Sequence, residues 1–344
     1  MKVHEAARSL GVTPRTLRFY EEKGLVHPYK EPSSGYRAYS DIDMTKLRWV
    51  VSLRELGMPL SVIKEALQAI DRPVQFIRIV DQARALLYED WVAAMQSLQA
   101  LDQTIRSWQQ LGETQLADAE AAALRMKQNR MIRESWSDQW NYNEMAVRYG
   151  IEAPLAALGG LITAEQYEHA LIRTLEWIDP KEGDRGLELG GGSGNLSVML
   201  ASTGANLTVV EQSAAMIDLL HARIPHASIK QGNMLALPLA ESNFSFIGCS
   251  FAFRHLSSSQ QLLALEEMDR VLLPGGRIII TDIMQTAASQ EVHDRQNVHT
   301  PVQPLPLQQW LTSRGYSVVA EELQSSVYLL YALRIDKNRQ ESYS

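Results

Sequence analysis

Cysteine is nearly absent from this chain: Cys249 is the single one in 344 residues. That excludes an internal disulfide framework and a multi-cysteine metal centre, so no metal site is expected, and it suits a reducing cytoplasm. Long apolar runs are missing too. No stretch approaches the roughly 18 consecutive apolar residues that a membrane span needs. The opening Met1-Lys2-Val3-His4-Glu5 lacks the apolar core of a secretory signal. A cytoplasmic chain without a membrane partner is the expectation. Charge is short of balance, with a net value of −7, but unevenly so. Residues 1–70 hold 11 Lys+Arg against 8 Asp+Glu, and the remainder holds 22 against 32. A mildly basic head on an acidic body directs any nucleic-acid contact to the head. The length predicts two domains and a connector, and hydrophobic residues at 45% can fill their cores.

The head reads as short helices. Val3, Ala6, Ala7 and Leu10 fall at helical spacing over residues 2–10, and Gly11 breaks the pattern. Thr13 then suits an N-cap, Pro14 the first helical position, and a second helix runs through residues 15–23 to Gly24. Two helices about a glycine-containing turn form a helix-turn-helix pattern whose second helix enters the major groove. Leu17 falls on its inner face; Arg15 and Arg18 fall outward, suited to phosphates or guanine edges. Residues 28–39 form a Pro/Gly/Ser-rich hairpin carrying Lys30, Tyr36 and Arg37 around Ser34-Gly35, a wing suited to the phosphate backbone. Helices are expected over residues 41–56 and 61–70, with Ser61 capping the latter.

With Thr13-Pro14-Arg15-Thr16-Leu17-Arg18-Phe19-Tyr20-Glu21, Ser34-Gly35-Tyr36-Arg37-Ala38-Tyr39-Ser40 and Leu53-Arg54-Glu55-Leu56-Gly57 in order, residues 1–70 closely resemble the MerR family of transcription regulators. The resemblance implies a winged helix-turn-helix with Thr13, Arg15, Arg18, Tyr20, Lys30, Tyr36 and Arg37 at double-stranded promoter DNA. Phe19 stands where the family more often has tyrosine.

Residues 71–126 are expected to connect. Ile77, Val80, Arg84, Leu87, Trp91, Ala94, Leu98, Leu101, Ile105 and Trp108 alternate three- and four-residue spacings, the seam of a two-stranded coiled coil interrupted only by Arg84. The resemblance implies an antiparallel homodimer through this 77–108 helix; packing on the chain's own body is the alternative. Gly112-Glu113-Thr114 ends the pattern, and residues 115–135 return as an Ala-rich helix.

Residues 127–335 alternate strands and helices, which predicts an α/β body with a mainly parallel sheet, followed by a polar tail over residues 336–344. Strands are expected at 186–189, 207–210, 228–230, 246–250, 277–281, 316–320 and 327–333. After the first comes Gly190-Gly191-Gly192-Ser193-Gly194, glycine-rich enough for backbone N–H groups to approach a nucleotide-like ligand. Position six from Gly190 is Asn195, so the dinucleotide fingerprint G-x-G-x-x-G is not met. Glu211 ends the second strand, where a carboxylate can accept from both hydroxyls of a ribose.

Adding Gln231-Gly232-Asn233-Met234, Phe244-Ser245-Phe246-Ile247 and Leu272-Leu273-Pro274-Gly275-Gly276-Arg277, residues 136–333 resemble class I S-adenosylmethionine-dependent methyltransferases, closest to those acting on small molecules. The resemblance implies a Rossmann-like fold with a mostly parallel seven-stranded sheet and S-adenosylmethionine as cofactor. Glu188 and the loop Gly190, Gly191, Gly192, Gly194 and Asn195 would hold the methionine part. Glu211 would hold the ribose, and Gln212, Asn233 and Met234 would flank adenine. Ser250, Phe251 and His255 would line the methyl-transfer side, joined by Tyr142 and Tyr149 from a capping segment that also carries Trp136 and Trp140. Asn233 replaces a common aspartate, Ser245 an aspartate, and Arg254-His255 a frequent His-His pair. His255 is the candidate base; packing at a helix start is its other reading. Cys249 lacks the preceding proline of cytosine-carbon methyltransferases and reads as a packing residue. No Asn/Asp-Pro-Pro-aromatic motif follows the fourth strand, so DNA bases are not the expected acceptors. The domain either turns over a small-molecule acceptor or senses a ligand.

Overall fold

The computed structural model describes residues 1–32, 35–285, 302–324 and 326–335; Ser34 of the wing and the tail 336–344 lie outside the described residues. The chain divides into two compact units, Met1–Leu87 and Tyr88–Ser344.

The first unit comprises α1 (Val3–Ser9), α2 (Pro14–Glu22), a ribbon of β1 (Tyr29–Lys30) and β2 (Arg37–Ala38), α3 (Asp41–Glu55), α4 (Leu60–Gln68) and the first turns of α5 (Pro73–Leu111). Thr13 caps α2, its hydroxyl accepting from the Thr16 N–H at 3.1 Å, and Ser40 and Asp43 form a reciprocal capping box at α3. Leu17, Leu47, Val50, Leu53 and Ile63 close the core, joined from α5 by Ile79 and Ala83. The core thus extends past residue 70, because the helix that leaves the head still buries one face against it. Ser61 is not the cap of α4. Pro59 precedes the helix with φ −62 and no side-chain cap bond, and Ser61 is already inside it; the fixed proline dihedral starts the turn without a hydroxyl.

The seam residues on α5 divide. Ile77, Leu87, Trp91, Leu98, Leu101 and Ile105 are exposed, Leu98 at 63%. Val80, Arg84 and Trp108 are half-buried, and the Trp108 indole donates to the Gln115 carbonyl at 3.2 Å. Arg84 pairs with Asp81 one turn earlier on the helix.

In the second unit, α6 (Leu116–Glu134) runs unbroken through residue 126. It folds back on α5, with Ser107 bonded to Asp118 and Arg133 to Gln96. Then follow α7 (Tyr142–Tyr149), α8 (Ala153–Ala156), α9 (Ala164–Ile178), β3 (Arg185–Leu189), α10 (Asn195–Ala201), β4 (Asn206–Glu211), α11 (Ala214–Arg223), β5 (Ser228–Gln231), β6 (Phe244–Ser250), α12 (Ser258–Val271), β7 (Leu272–Ile283), α13 (Pro304–Ser313), β8 (Tyr316–Gln324) and β9 (Val327–Arg334). The sheet order is β5-β4-β3-β6-β7-β9-β8. β3 to β7 run parallel, and β9 lies antiparallel between β7 and β8. This is the Rossmann-like, mostly parallel seven-stranded sheet expected for the body. Leu187, Leu189, Ile247, Ile278 and Ile280 are buried among α12 and α13 on one face. Phe246, Val209, Ile279 and Leu329 are buried among α9, α10 and α11 on the other. Apolar residues of both parities along the central strands follow from burial on two faces.

Among the described residues no helix is long and apolar enough to cross a membrane.

Candidate functional site

The sheet reverses its winding at β3, between β4 and β6, which is where an open α/β sheet leaves a crevice beyond the carboxyl ends of its strands. A cavity of about 350 Å³ opens there. The turn after β3 forms its floor. Gly190 adopts φ +67, and a Cβ at this position would lie 2.5 Å from the Ala252 Cβ. At Gly191 a Cβ would lie 2.3 Å from Val209 Cγ1. The loop is therefore flattened against its neighbours by the lack of side chains, which leaves room above it for a ligand.

Glu211 stands beside that floor. One carboxylate oxygen accepts from Gly192 N–H at 2.9 Å; the other accepts from Gln212 and Ser213 N–H, each at 2.7 Å. Burial raises its pKa above the ordinary carboxylate value against the pull of these three bonds. Gln212, Ser213, Asn233 and Met234 continue the wall. The Asn233 amide oxygen is already engaged, accepting from Leu235 N–H at 2.9 Å, and the Leu235 carbonyl accepts from Arg133 Nε at 3.1 Å.

The opposite wall carries Ser250, Phe251, His255 and Leu256 at the end of β6. Phe251 has φ +52, a conformation costing a non-glycine residue about 1–3 kcal/mol. Its N–H is held by the Thr281 carbonyl at 2.8 Å, and its ring lies 5.1 Å from that of Tyr167. Burial pushes the Tyr167 hydroxyl up to about 12. Over the cavity, the Tyr142 hydroxyl and His255 Nε2 are 2.5 Å apart, and the Trp140 ring meets the imidazole edge-on at 4.1 Å. Burial raises the Tyr142 phenol further above its ordinary range. The segment is fixed locally: Asp138 accepts from the N–H groups of Trp140 and Tyr142 at 3.0 and 2.9 Å. Asn143 docks it, its side-chain oxygen accepting from the Ser213 hydroxyl at 2.9 Å and Ala215 N–H at 3.1 Å.

The geometry brings together Gly190, Gly191, Gly192, Asn195, Glu211, Gln212, Asn233, Met234, Ser250, Phe251, His255 and Tyr142 on one cavity. Three expected members stand apart. Glu188 lies a layer below, its carboxylate accepting from the Ser197 hydroxyl at 2.5 Å and pushed up to about 8 by burial. It points into the packing between β3 and α10 because the strand alternation that turns Leu189 to one face turns Glu188 to the other. Gly194 caps α10 behind the loop. Tyr149 ends α7 outside the cavity wall, 38% exposed, with the Arg148 guanidinium 5.3 Å from its ring. Arg254 is buried beneath His255, donating from its backbone N–H to Asp282 and from Nη2 to the Ala157 carbonyl at 3.1 Å. It organises the turn. The Cys249 thiol is buried and raised well above its ordinary pKa by burial, which suits packing and disfavours a nucleophile. Sequence reading missed Asp138, Asn143, Pro154, Tyr167 and Ser213 on the cavity wall. Of these, Asp138 had a legible signal: a carboxylate two and four residues ahead of the N–H groups it caps.

In the head, Arg15, Arg18, Lys30 and Tyr36 are exposed and Arg37 is half-buried. Tyr20 is the exception among the expected DNA contacts: it is 6% exposed and packs in the core, because it follows Leu17 by three residues on the same helical face. Lys30 and Arg37 both pair with Glu21, at 2.6 and 2.5 Å. Among the described residues no group of three or more His, Cys, Asp or Glu side chains is arranged to hold a metal ion.

Comparison with known proteins finds two family matches. Residues 1–70 match the MerR HTH family regulatory protein model, and residues 187–280 match a methyltransferase domain model. Among curated relatives, an uncharacterized methyltransferase of Alkaliphilus oremlandii is 34% identical over 120 residues, 35% of this chain and 55% of that protein. The ubiquinone/menaquinone biosynthesis C-methyltransferase of Paracoccus denitrificans is 27% identical over 214 residues, 56% of this chain and 74% of that one. The chain thus spans about half the length of the first of these relatives. Among solved structures, magnesium protoporphyrin IX methyltransferase of Synechocystis with bound S-adenosylhomocysteine superposes with a TM-score of 0.47 at 13% identity, over 57% of this chain and 100% of that one.

Proposed function

Since the chain joins a MerR-type helix-turn-helix domain to a methyltransferase domain, we propose that it is a transcription regulator whose second unit binds S-adenosylmethionine and methylates a small molecule. One observation carries the reading: a single cavity runs from Asn233 and Met234, past Glu211 and the glycine loop, to His255 and Tyr142. The glycine floor fits such a cofactor, since a Cβ at Gly190 or Gly191 would strike Ala252 or Val209 and force the loop up into the cavity. Glu211 would hold the ribose, Gln212, Asn233 and Met234 the adenine, and Gly190, Gly192 and Asn195 the amino-acid end. When bound, S-adenosylmethionine supplies an electrophilic methyl group on a sulfonium. The protein's part is then to hold an acceptor in line and exclude water, which Trp136, Tyr142 and Phe251 support. Where the acceptor must lose a proton, His255 is the candidate base, its Nε2 within hydrogen-bond distance of the Tyr142 hydroxyl. Arg15, Arg18, Lys30, Tyr36 and Arg37 would meet the promoter duplex. The exposed stripe Leu87, Trp91, Leu98, Leu101 and Ile105 would pair with a second copy. Calorimetry with S-adenosylmethionine and S-adenosylhomocysteine tests the first step, and transfer of labelled methyl groups to small-molecule extracts tests the second. A protein that binds neither cofactor form refutes the reading.

A second reading, a sensor without turnover, is favoured by Asn233. Its amide oxygen carries no charge and already serves Leu235, so cofactor would be held more weakly than by a carboxylate there. Cofactor binding with no transfer across broad acceptor panels would select it.

A further inference from the structure

Glu21 sits on α2 one turn beyond Arg18, on the face that would approach DNA. A carboxylate there opposes phosphate at long range, so its presence needs a compensating role. Its Oε1 lies 2.6 Å from Lys30 Nζ and its Oε2 lies 2.5 Å from Arg37 Nε. Lys30 and Arg37 are register partners in the antiparallel pair of β1 and β2. One carboxylate therefore grips both strands of the wing at a single rung. The wing's strands are two residues each, too short for a ribbon to hold its own position. Its far end is tied by the pairing of Tyr39 N–H with the Met1 carbonyl and by the bridge from Lys2 to Ala38. The Glu21 side chain is 12% exposed, against 56% for Lys30. The clamp is half-sheltered while the ammonium reaches solvent. Burial alone would raise the Glu21 carboxyl; hydrogen bonds from Arg37 and Lys30 hold it below the ordinary value.

We propose that Glu21 is a positioning residue for DNA binding, fixing Lys30 and Arg37 as phosphate contacts on the face that carries Arg15 and Arg18. The ion pair engages Arg37 through Nε, so both Nη groups stay outside it, and the Lys30 ammonium keeps further donors. A wing set in advance avoids an ordering cost when DNA arrives. The inference rests on the DNA-binding reading of the head.

The test uses the full-length protein and a random-sequence duplex, with affinity measured against salt concentration for wild type, E21Q, R37Q and the double variant. E21Q removes a negative charge, yet should bind about tenfold more weakly at low salt, with a salt slope smaller by about 1 to 2, as when one or two fewer phosphates are neutralised. R37Q should weaken binding by a similar factor, and the double variant should add little to it. Hydrogen exchange should quicken at the amides of residues 29–31 and 36–38 in E21Q, with thermal unfolding unchanged. E21Q binding as tightly as wild type or tighter would overturn the proposal, leaving the carboxylate as a neutralising charge only. Weaker binding with an unchanged slope would also overturn it, since a partly unfolded head lowers affinity equally at every salt concentration. Wild-type protein that binds no duplex would remove the DNA-binding reading, and this inference with it.

Discussion

Replacing Gly190 by alanine strikes the proposed cofactor cradle at its tightest point. The new Cβ would lie 2.5 Å from Ala252 Cβ and 2.9 Å from Met234 Cε, well inside the roughly 3.5–4.0 Å of a relaxed carbon contact. The Met234 methyl can swing away. Ala252 cannot, because it is packed in the turn after β6 beside Phe253. At φ +67 an L side chain also costs roughly 1–2 kcal/mol, and overpacking adds roughly 1–3 kcal/mol. The sum is about 2–5 kcal/mol. The easiest relief is for the loop to lift into the cavity, where the ligand would lie. If half of the strain is released in that way, affinity for S-adenosylhomocysteine falls roughly 5- to 70-fold, at about 1.4 kcal/mol per factor of ten. Titration calorimetry on the full chain reads this directly. Gly183→Ala is the control: its φ is +82 with nothing within 4 Å of the added Cβ, so it should lower the melting temperature and leave affinity unchanged. Gly190→Ala protein that binds S-adenosylhomocysteine within twofold of wild type would refute the cradle.

Glu188 makes stability depend on pH. Burial lifts its carboxyl from 4.5 to about 8 in the folded chain, so its contribution is whole below the unfolded value and is lost as pH rises through the folded one. Denaturant unfolding of the second unit should therefore become easier by up to a few kcal/mol between about pH 5 and about pH 8. E188Q should reduce that fall, leaving the contributions of Asp282, whose carboxyl burial lifts to about 6, and of Glu211, Glu89 and Glu266, which burial also raises. Asn143→Ala should remove the bonds to Ser213 and Ala215. A cap of this kind is worth about 0.5–2 kcal/mol, so amide exchange in α7 should quicken roughly 2- to 30-fold while β3 stays protected. Leu98→Glu places a charge in the exposed stripe of α5; if that stripe pairs two copies as proposed, sedimentation velocity should show a dimer for wild type and a single chain for the variant.

The sheet was legible because its strands are short apolar runs set between glycine turns. All seven lie where the sequence puts them, and β7 alone differs in kind. It begins at Leu272, taking in the Pro274-Gly275-Gly276 turn through an irregular register between Phe244 and Phe246. The cavity floor was legible for the same reason, since the loop, Glu211 and the end of β6 each follow directly from a strand terminus. The lid was legible only through the resemblance, which put Tyr142 and His255 on the methyl-transfer side without their contact. The two are 113 residues apart in sequence, and nothing local to either specifies the other. The inward turn of Tyr20 depended on the phase of a helix that is polar on most sides. Ser61 misleads because serine caps many helices, whereas here proline sets the dihedral first. Glu188 differs from its expected place by one step of strand alternation, which only the three-dimensional layer could reveal.

The sheet order carries a consequence for how the chain is made. The core of the head is complete by Leu87. The body is not: β9, the last strand among the described residues, lies between β7 and β8, so the sheet cannot close until Arg334 has been synthesised. At about 5–20 residues per second, the ribosome would display a finished head for some tens of seconds before the second unit can close its sheet. Translation stopped short of β9 would leave that head intact and joined to a body with β7 as a bare hydrophobic edge. Such fragments would keep the head's surface while losing everything that depends on the cavity.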